Sequence, residues 1–132
     1  MDVQKLGPQK TVKIETRKKG TLGVFKAQDE SIYMHYWTNR ILFAISEIPP
    51  GGKSSLDPGH ESADELAYVI EGEIAVEFPN EKRIEKLAQG DSILIPEGVP
   101  HIVQNIGKVV AVSAWATAPH LGYTLDKLTG QL

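Results

Sequence analysis

His101 is an imidazole set in a constrained backbone frame, and that makes it the first residue to ask about chemistry. Residues 90–105 run from Gly90 through the apolar stretch 93–95 to Pro96 and Gly98, which mark a tight turn; His101 falls on the extended segment after it, its ring pointing to one side. Upstream, residues 52–72 hold a second group of chemically able side chains, His60 and Glu65, between Gly52 and Gly72. The 132 residues contain no cysteine, so disulfides, thiolate catalysis and Cys-ligated zinc or iron–sulfur sites are excluded. Any metal must sit on nitrogen and oxygen. No serine stands in a nucleophile-elbow context, so the histidines have no triad to join.

Gly90, Pro96, Gly98, His101 and Asn105 stand at the spacing of the second signature of the cupin superfamily, without one departure. The first signature is a Gly, five residues, His-x-His, three or four residues, Glu, six residues and Gly. Gly52, His60, Glu65 and Gly72 fall in that register, and Pro58 holds the place of the first histidine. The chain therefore resembles a small single-domain cupin of the Cupin_2-like type. The resemblance implies an all-β, double-stranded β-helix (jelly-roll) barrel and makes His60, Glu65 and His101 the ligands of a divalent transition metal: Fe, Mn, Zn, Ni or Co. Two imidazoles and a carboxylate with open positions are the composition of a facial metal site. Because Pro58 has no side-chain donor, Asp57, Glu61 and Asp64 in the same loop are the candidates to supply a further ligand.

The elements that must carry these residues are short strands. Apolar or alternating runs recur at residues 11–15, 21–26, 31–37, 40–48, 66–70, 73–78, 84–87, 92–95, 102–104 and 109–117, separated by Gly, Pro, Asn and Asp clusters. This spacing suggests a sandwich or barrel. We expect one domain over residues 1–132, with N-terminal strands in 1–39, the motif-bearing barrel in 40–117 and a C-terminal tail in 118–132 in which 121–132 form a short helix or stay extended. Alternation turns Ala67 and Val69 inward with Glu65, and Leu66, Tyr68 and Ile70 outward; Val99, Val103 and Asn105 share the face of His101. On that pattern His60, Glu65 and His101 converge at one end of the barrel interior. Residues 66–70 are apolar on both faces and 109–116 almost throughout, so a second copy is the expected cover and a homodimer the expected assembly.

Other segments carry less. His35 lies in an aromatic-rich stretch and reads as packing, and His120 as exposed. Gly52, Lys53 and Ser54 superficially suggest a phosphate loop, but Glu47 stands where its first glycine belongs and Pro58 and Gly59 forbid the helix. Lys53 could reach an anion at the barrel mouth. The basic cluster Arg17, Lys18 and Lys19 reads as a solvated turn. Candidate pocket walls are Tyr36, Arg40, Phe43, Ile45, Ile93 and Trp115, with Arg40 able to clamp a carboxylate or phosphate.

A net charge of -3 gives no general attraction to nucleic acid or anionic lipid, and no apolar run is long enough to span a bilayer. The residues 1–8 lack an apolar signal core, so the expected compartment is the cytoplasm. The functional expectation is a metal-binding barrel for a small polar organic molecule. If it is an enzyme, oxygenase, isomerase, decarboxylase and lyase chemistry are all open. The alternative is a non-catalytic binding or storage barrel with a degenerate metal site, which the replacement at Pro58 favours.

Overall fold

The computed structural model describes residues 13–119. Among them nine strands follow in order: β1 (Val24–Ala27), β2 (Glu30–Trp37), β3 (Leu42–Ile48), β4 (Asp64–Glu71), β5 (Glu73–Phe78), β6 (Arg83–Ala88), β7 (Ser92–Ile95), β8 (Ile102–Asn105) and β9 (Ala111–Ala118). They form two antiparallel sheets, one of six strands in the order β1-β2-β3-β9-β4-β7 and one of three in the order β6-β5-β8. This is the jelly roll that the resemblance implies. No helix among the described residues is long and apolar enough to cross a membrane.

Period-two burial builds the sandwich. In β4, Glu65, Ala67 and Val69 are buried while Asp64, Leu66, Tyr68 and Ile70 are exposed; β3 and β9 alternate in the same way. The inner faces close on a core that includes Val69, Ile74, Val76 and Ile95, each at most 2% exposed. Full burial of such a side chain contributes about 1.5–3 kcal/mol, which is what holds the two sheets together. A smaller cluster of Met34, Trp37, Leu42 and Ala44 fills the end under β2 and β3.

Nine of the ten expected runs contain a strand. The described part of the first, residues 13–15, is not extended into a sheet, because no neighbouring strand pairs with it. β3 begins at Leu42 rather than at 40, since Arg40 and Ile41 donate their backbone N–H groups to Thr38 Oγ1 in a turn. A register shift between Met34 and Tyr36 bulges β2, so that Trp37 rather than Tyr36 is buried beside Met34. The expected helix in 121–132 and His120 lie outside the described residues.

Candidate metal centre

The loop of residues 49–63 and the segment leading into β8 are stitched together by backbone. Asp57 N–H donates to His101 O at 2.8 Å and His101 N–H donates to Asp57 O at 2.9 Å, a reciprocal antiparallel pair. Pro58 favours this pairing, because the residue before a proline is restricted to extended backbone. The next residue, Gly59, has φ +89, and a Cβ there would lie 2.6 Å from Val99 N and 2.7 Å from the Gly98 carbonyl carbon. Only glycine lets the two loops approach this closely. Asp57 Oδ1 accepts the Gly59 N–H at 2.8 Å, which turns Oδ2 toward the histidines.

Four donors thereby meet. His60 Nε2 lies 3.5 Å from Asp57 Oδ2 and 3.3 Å from Glu65 Oε2; His101 Nε2 lies 3.6 Å from Asp57 Oδ2 and 3.0 Å from Glu65 Oε1. Donor atoms of Asp57, Glu65 and His101 all fall within 4.8 Å of one another. Bonds of about 2.1 Å to one ion would put adjacent donors roughly 3.0–3.5 Å apart, which the Asp57, Glu65 and His101 group approaches; His60 adjoins that group through Asp57 and Glu65. His60, Glu65 and His101 are buried. Thr117 Oγ1 donates to Glu65 Oε2 at 3.3 Å, and Trp115 stacks on the His101 ring at 5.9 Å between centroids and 5° between planes. Trp115 is itself fixed by an Nε1–H bond to Ser113 Oγ at 2.8 Å.

The tautomer of His101 follows from its neighbour. Nδ1 lies 2.9 Å from the Val99 carbonyl, which can only accept, so Nδ1 carries the proton. In the neutral ring Nε2 then points a lone pair at Glu65 Oε1, an oxygen that is buried and has no hydrogen-bond donor. Two acceptors facing each other need a cation or a proton between them. Without a metal, protons take that place: burial pulls both imidazoles down, but Asp57 and Glu65 outweigh it, raising His60 to about 10 and His101 in the same direction. Glu65 is held below the usual carboxylate range, since the two imidazoles overcome the upward push of burial.

The cluster forms one wall of a pocket whose other walls include Ile32, Met34, Ala44, Val103 and Trp115. Among the expected substrate residues, Trp115 lines it. Tyr36 and Phe43 line a separate, shallow recess with Ile14 and Ile41, because β3 turns its even-numbered residues inward and the bulge in β2 turns Tyr36 out. Ile45 is also on the outer face, Ile93 packs against the core, and Arg40 is exposed in its turn. His35 packs edge-on against Phe43, 6.0 Å between centroids. Glu61 and Asp64 are exposed, and Asp57 reaches both histidines. Glu30 and Ser46, which also line the pocket, were not among the expected residues.

The cupin-domain family model Cupin_2 matches residues 44–116, more than half of the chain, and the chain belongs to that family. An uncharacterized protein of Methanocaldococcus jannaschii is 37% identical over 62 residues, which are 47% of this chain and 48% of that protein. The match thus spans about half the length of that curated relative. Among solved structures, a predicted oxalate decarboxylase from Thermotoga maritima aligns over 80% of this chain and 99% of its own, with 17% identity and a TM-score of 0.64. A sugar phosphate isomerase of the cupin superfamily from Silicibacter pomeroyi aligns over 79% of this chain and 75% of its own, with 16% identity and a TM-score of 0.66. At these identities the likeness is one of fold.

Proposed function

We propose that this cupin binds one divalent transition metal through Asp57, His60, Glu65 and His101 and holds a small polar molecule in the pocket beside it. The observation that carries the reading is the opposition of His101 Nε2 and the donor-less Glu65 Oε1 at 3.0 Å. Two carboxylates balance the charge of a divalent ion, and two imidazoles with two oxygens suit Fe, Mn, Zn, Ni or Co. Asp57 makes good the donor that Pro58 lacks. When bound, such an ion supplies Lewis acidity or oxygen activation. The chain's own residues do the rest: Val99 O fixes the His101 tautomer, Trp115 and Thr117 hold the His101 ring and the Glu65 carboxylate, and the apolar walls keep bulk water from the bound molecule.

The metal is tested by elemental analysis of protein purified without an affinity tag or chelator. Stoichiometric metal that disappears in His101→Ala is the expected result. Metal-free protein that also takes up none of the five ions would sink the reading. A second reading rests on the raised imidazoles, which let two protons fill the place of the ion; the barrel would then be a metal-free binding or storage module. Such a barrel would keep its ligand in His101→Ala.

We infer further that the working form is a homodimer. Leu66 and Leu94 face each other across β4 and β7 on the outer sheet face and are 51% and 62% exposed, with Tyr68 beside them at 51%. A second copy of this face is the self-complementary cover. Light scattering should give twice 14.5 kDa, and Leu66→Lys should return the mass to that of one chain.

A further inference from the structure

The pocket that the metal cluster lines also holds a carboxyl group that the metal reading does not use. Glu30 opens β2, and its Oε2 accepts a hydrogen bond of 2.5 Å from Ser46 Oγ on β3. Ser46 is buried, so the carboxyl is tied to a fixed point. Among the described residues Oε1 has no hydrogen-bond partner, and the side chain lines the cavity together with Ile32 and Met34. The cavity they share has a volume of about 80 Å³, room for a small molecule. A molecule bound there meets Glu30 and Ser46, the cluster side chains, and Ser54 and Ser55 among apolar walls.

We propose that the Glu30 carboxyl, steadied by Ser46, donates a hydrogen bond to the far oxygen of a small hydroxy acid whose carboxylate end faces the Asp57–His101 cluster. The inference rests on the metal reading above, since an ion beside the two cluster carboxylates is what makes an acid anion welcome there. With Oε2 accepting from Ser46, the proton belongs on Oε1. Burial raises the Glu30 carboxyl to about 7; Asp57 from the loop and Glu65 from β4 push the same way, while the Ser46 bond and His101 pull it down. A neutral donor therefore coexists with the anion at neutral pH. A charged one would repel it.

Glycolate, the smallest hydroxy acid, is the probe, titrated by calorimetry into protein loaded with Zn²⁺ whose zinc content has been measured. Wild type should bind it, more weakly as pH rises and the Glu30 carboxyl ionises. Glu30→Ala should keep its zinc and bind glycolate about tenfold more weakly, the scale of one buried hydrogen bond to a charged or polar ligand. Glu30→Gln, which keeps a donor at every pH, should bind it and lose the wild-type dependence around pH 7. Ser46→Ala, which frees the carboxyl without removing it, should weaken binding by less than Glu30→Ala. Zinc-loaded wild type that ignores glycolate, or equal affinity in wild type and Glu30→Ala, overturns the proposal. Failure of wild type to take zinc at all overturns the metal reading and this inference with it, and the zinc measurement tells the two failures apart.

Discussion

The two loops that bring the Asp57, His60, Glu65 and His101 donors together are fixed in different ways. The segment ending at Asn105 is anchored through one side chain: buried Asn105 donates through Nδ2 to Ile48 O on β3 and to Val109 O, both at 2.8 Å, its Oδ1 accepts the Gly107 N–H at 2.8 Å, and its backbone N–H reaches Gly52 O of the other loop at 2.9 Å. The loop with Pro58 relies on contacts with that segment. Ser54 N–H reaches Val103 O at 2.8 Å, Gly98 N–H reaches His60 O at 3.1 Å, Ser62 N–H reaches Glu97 Oε2 at 2.7 Å, and Asp57 pairs with His101. A loop templated by another can lose one donor residue and present its neighbour instead. That is how a chain without the first histidine still brings four donors together.

Perturbing the junction between the loops should have the largest effect. Gly59→Ala must place a Cβ 2.6 Å from Val99 N at a φ of +89, and we expect about 3–4 kcal/mol lost in urea unfolding, together with the metal. An intact, stable Gly59→Ala protein would mean that the loops are not interlocked. Asn105→Ala attacks the anchor of the second segment. It strips three hydrogen bonds, one buried and two part-buried, and should cost about 2–3 kcal/mol by the same measurement.

At the donors themselves the effects are smaller and fall on affinity. Glu65→Gln exchanges a charged oxygen for a neutral amide and should weaken metal binding tenfold or more, about 1.4 kcal/mol. Asp57→Asn should weaken it about fivefold, roughly 1 kcal/mol, since the Asp57 side chain is more exposed, 25% against 10% for Glu65. Unchanged metal content in either variant removes that residue from the ligand set.

The smallest effect is on pH. Raised imidazoles give the metal-free protein a stabilisation that is complete below about 6.5 and is lost as pH climbs toward about 10, whereas the lowered Glu65 loses its contribution as pH falls below about 4.5. Metal-free unfolding midpoints should therefore decline from pH 6.5 upward. Zinc affinity should rise over the same interval, because zinc displaces the imidazole protons, and calorimetry in buffers of different ionisation enthalpy reads that release.

Most of the strand framework was legible because period-two burial is a local signal: Glu65, Ala67 and Val69 turn inward as their spacing requires. The resemblance carried His60, Glu65 and His101, and the structure brings those three side chains together. Local pattern does not tell which wall a strand residue joins. Tyr36 and Phe43, expected beside Trp115, are turned to a separate recess by the bulge at Met34 and Tyr36 and by the parity of β3. Asp57 was one of three acidic residues in its loop, and only a backbone pair to a residue far along the chain distinguishes it. Glu30 follows Gln28 and Asp29 and reads as one more polar turn residue. Its partner, Ser46, becomes visible only once β2 and β3 are in register.

The placement of β9 has a bearing on biosynthesis. It comes after the eight other described strands, yet in the larger sheet it lies between β3 and β4, pairing Leu42 with Thr117 on one side and Glu65 with Thr117 on the other. Until residues 111–118 leave the ribosome, β3 and β4 each present an unpaired edge lined with apolar side chains, which is the geometry of intermolecular strand pairing. A nascent chain arrested before residue 111 is thus a candidate client for holdase chaperones. The final insertion joins strands distant in sequence, so it should set the pace of folding.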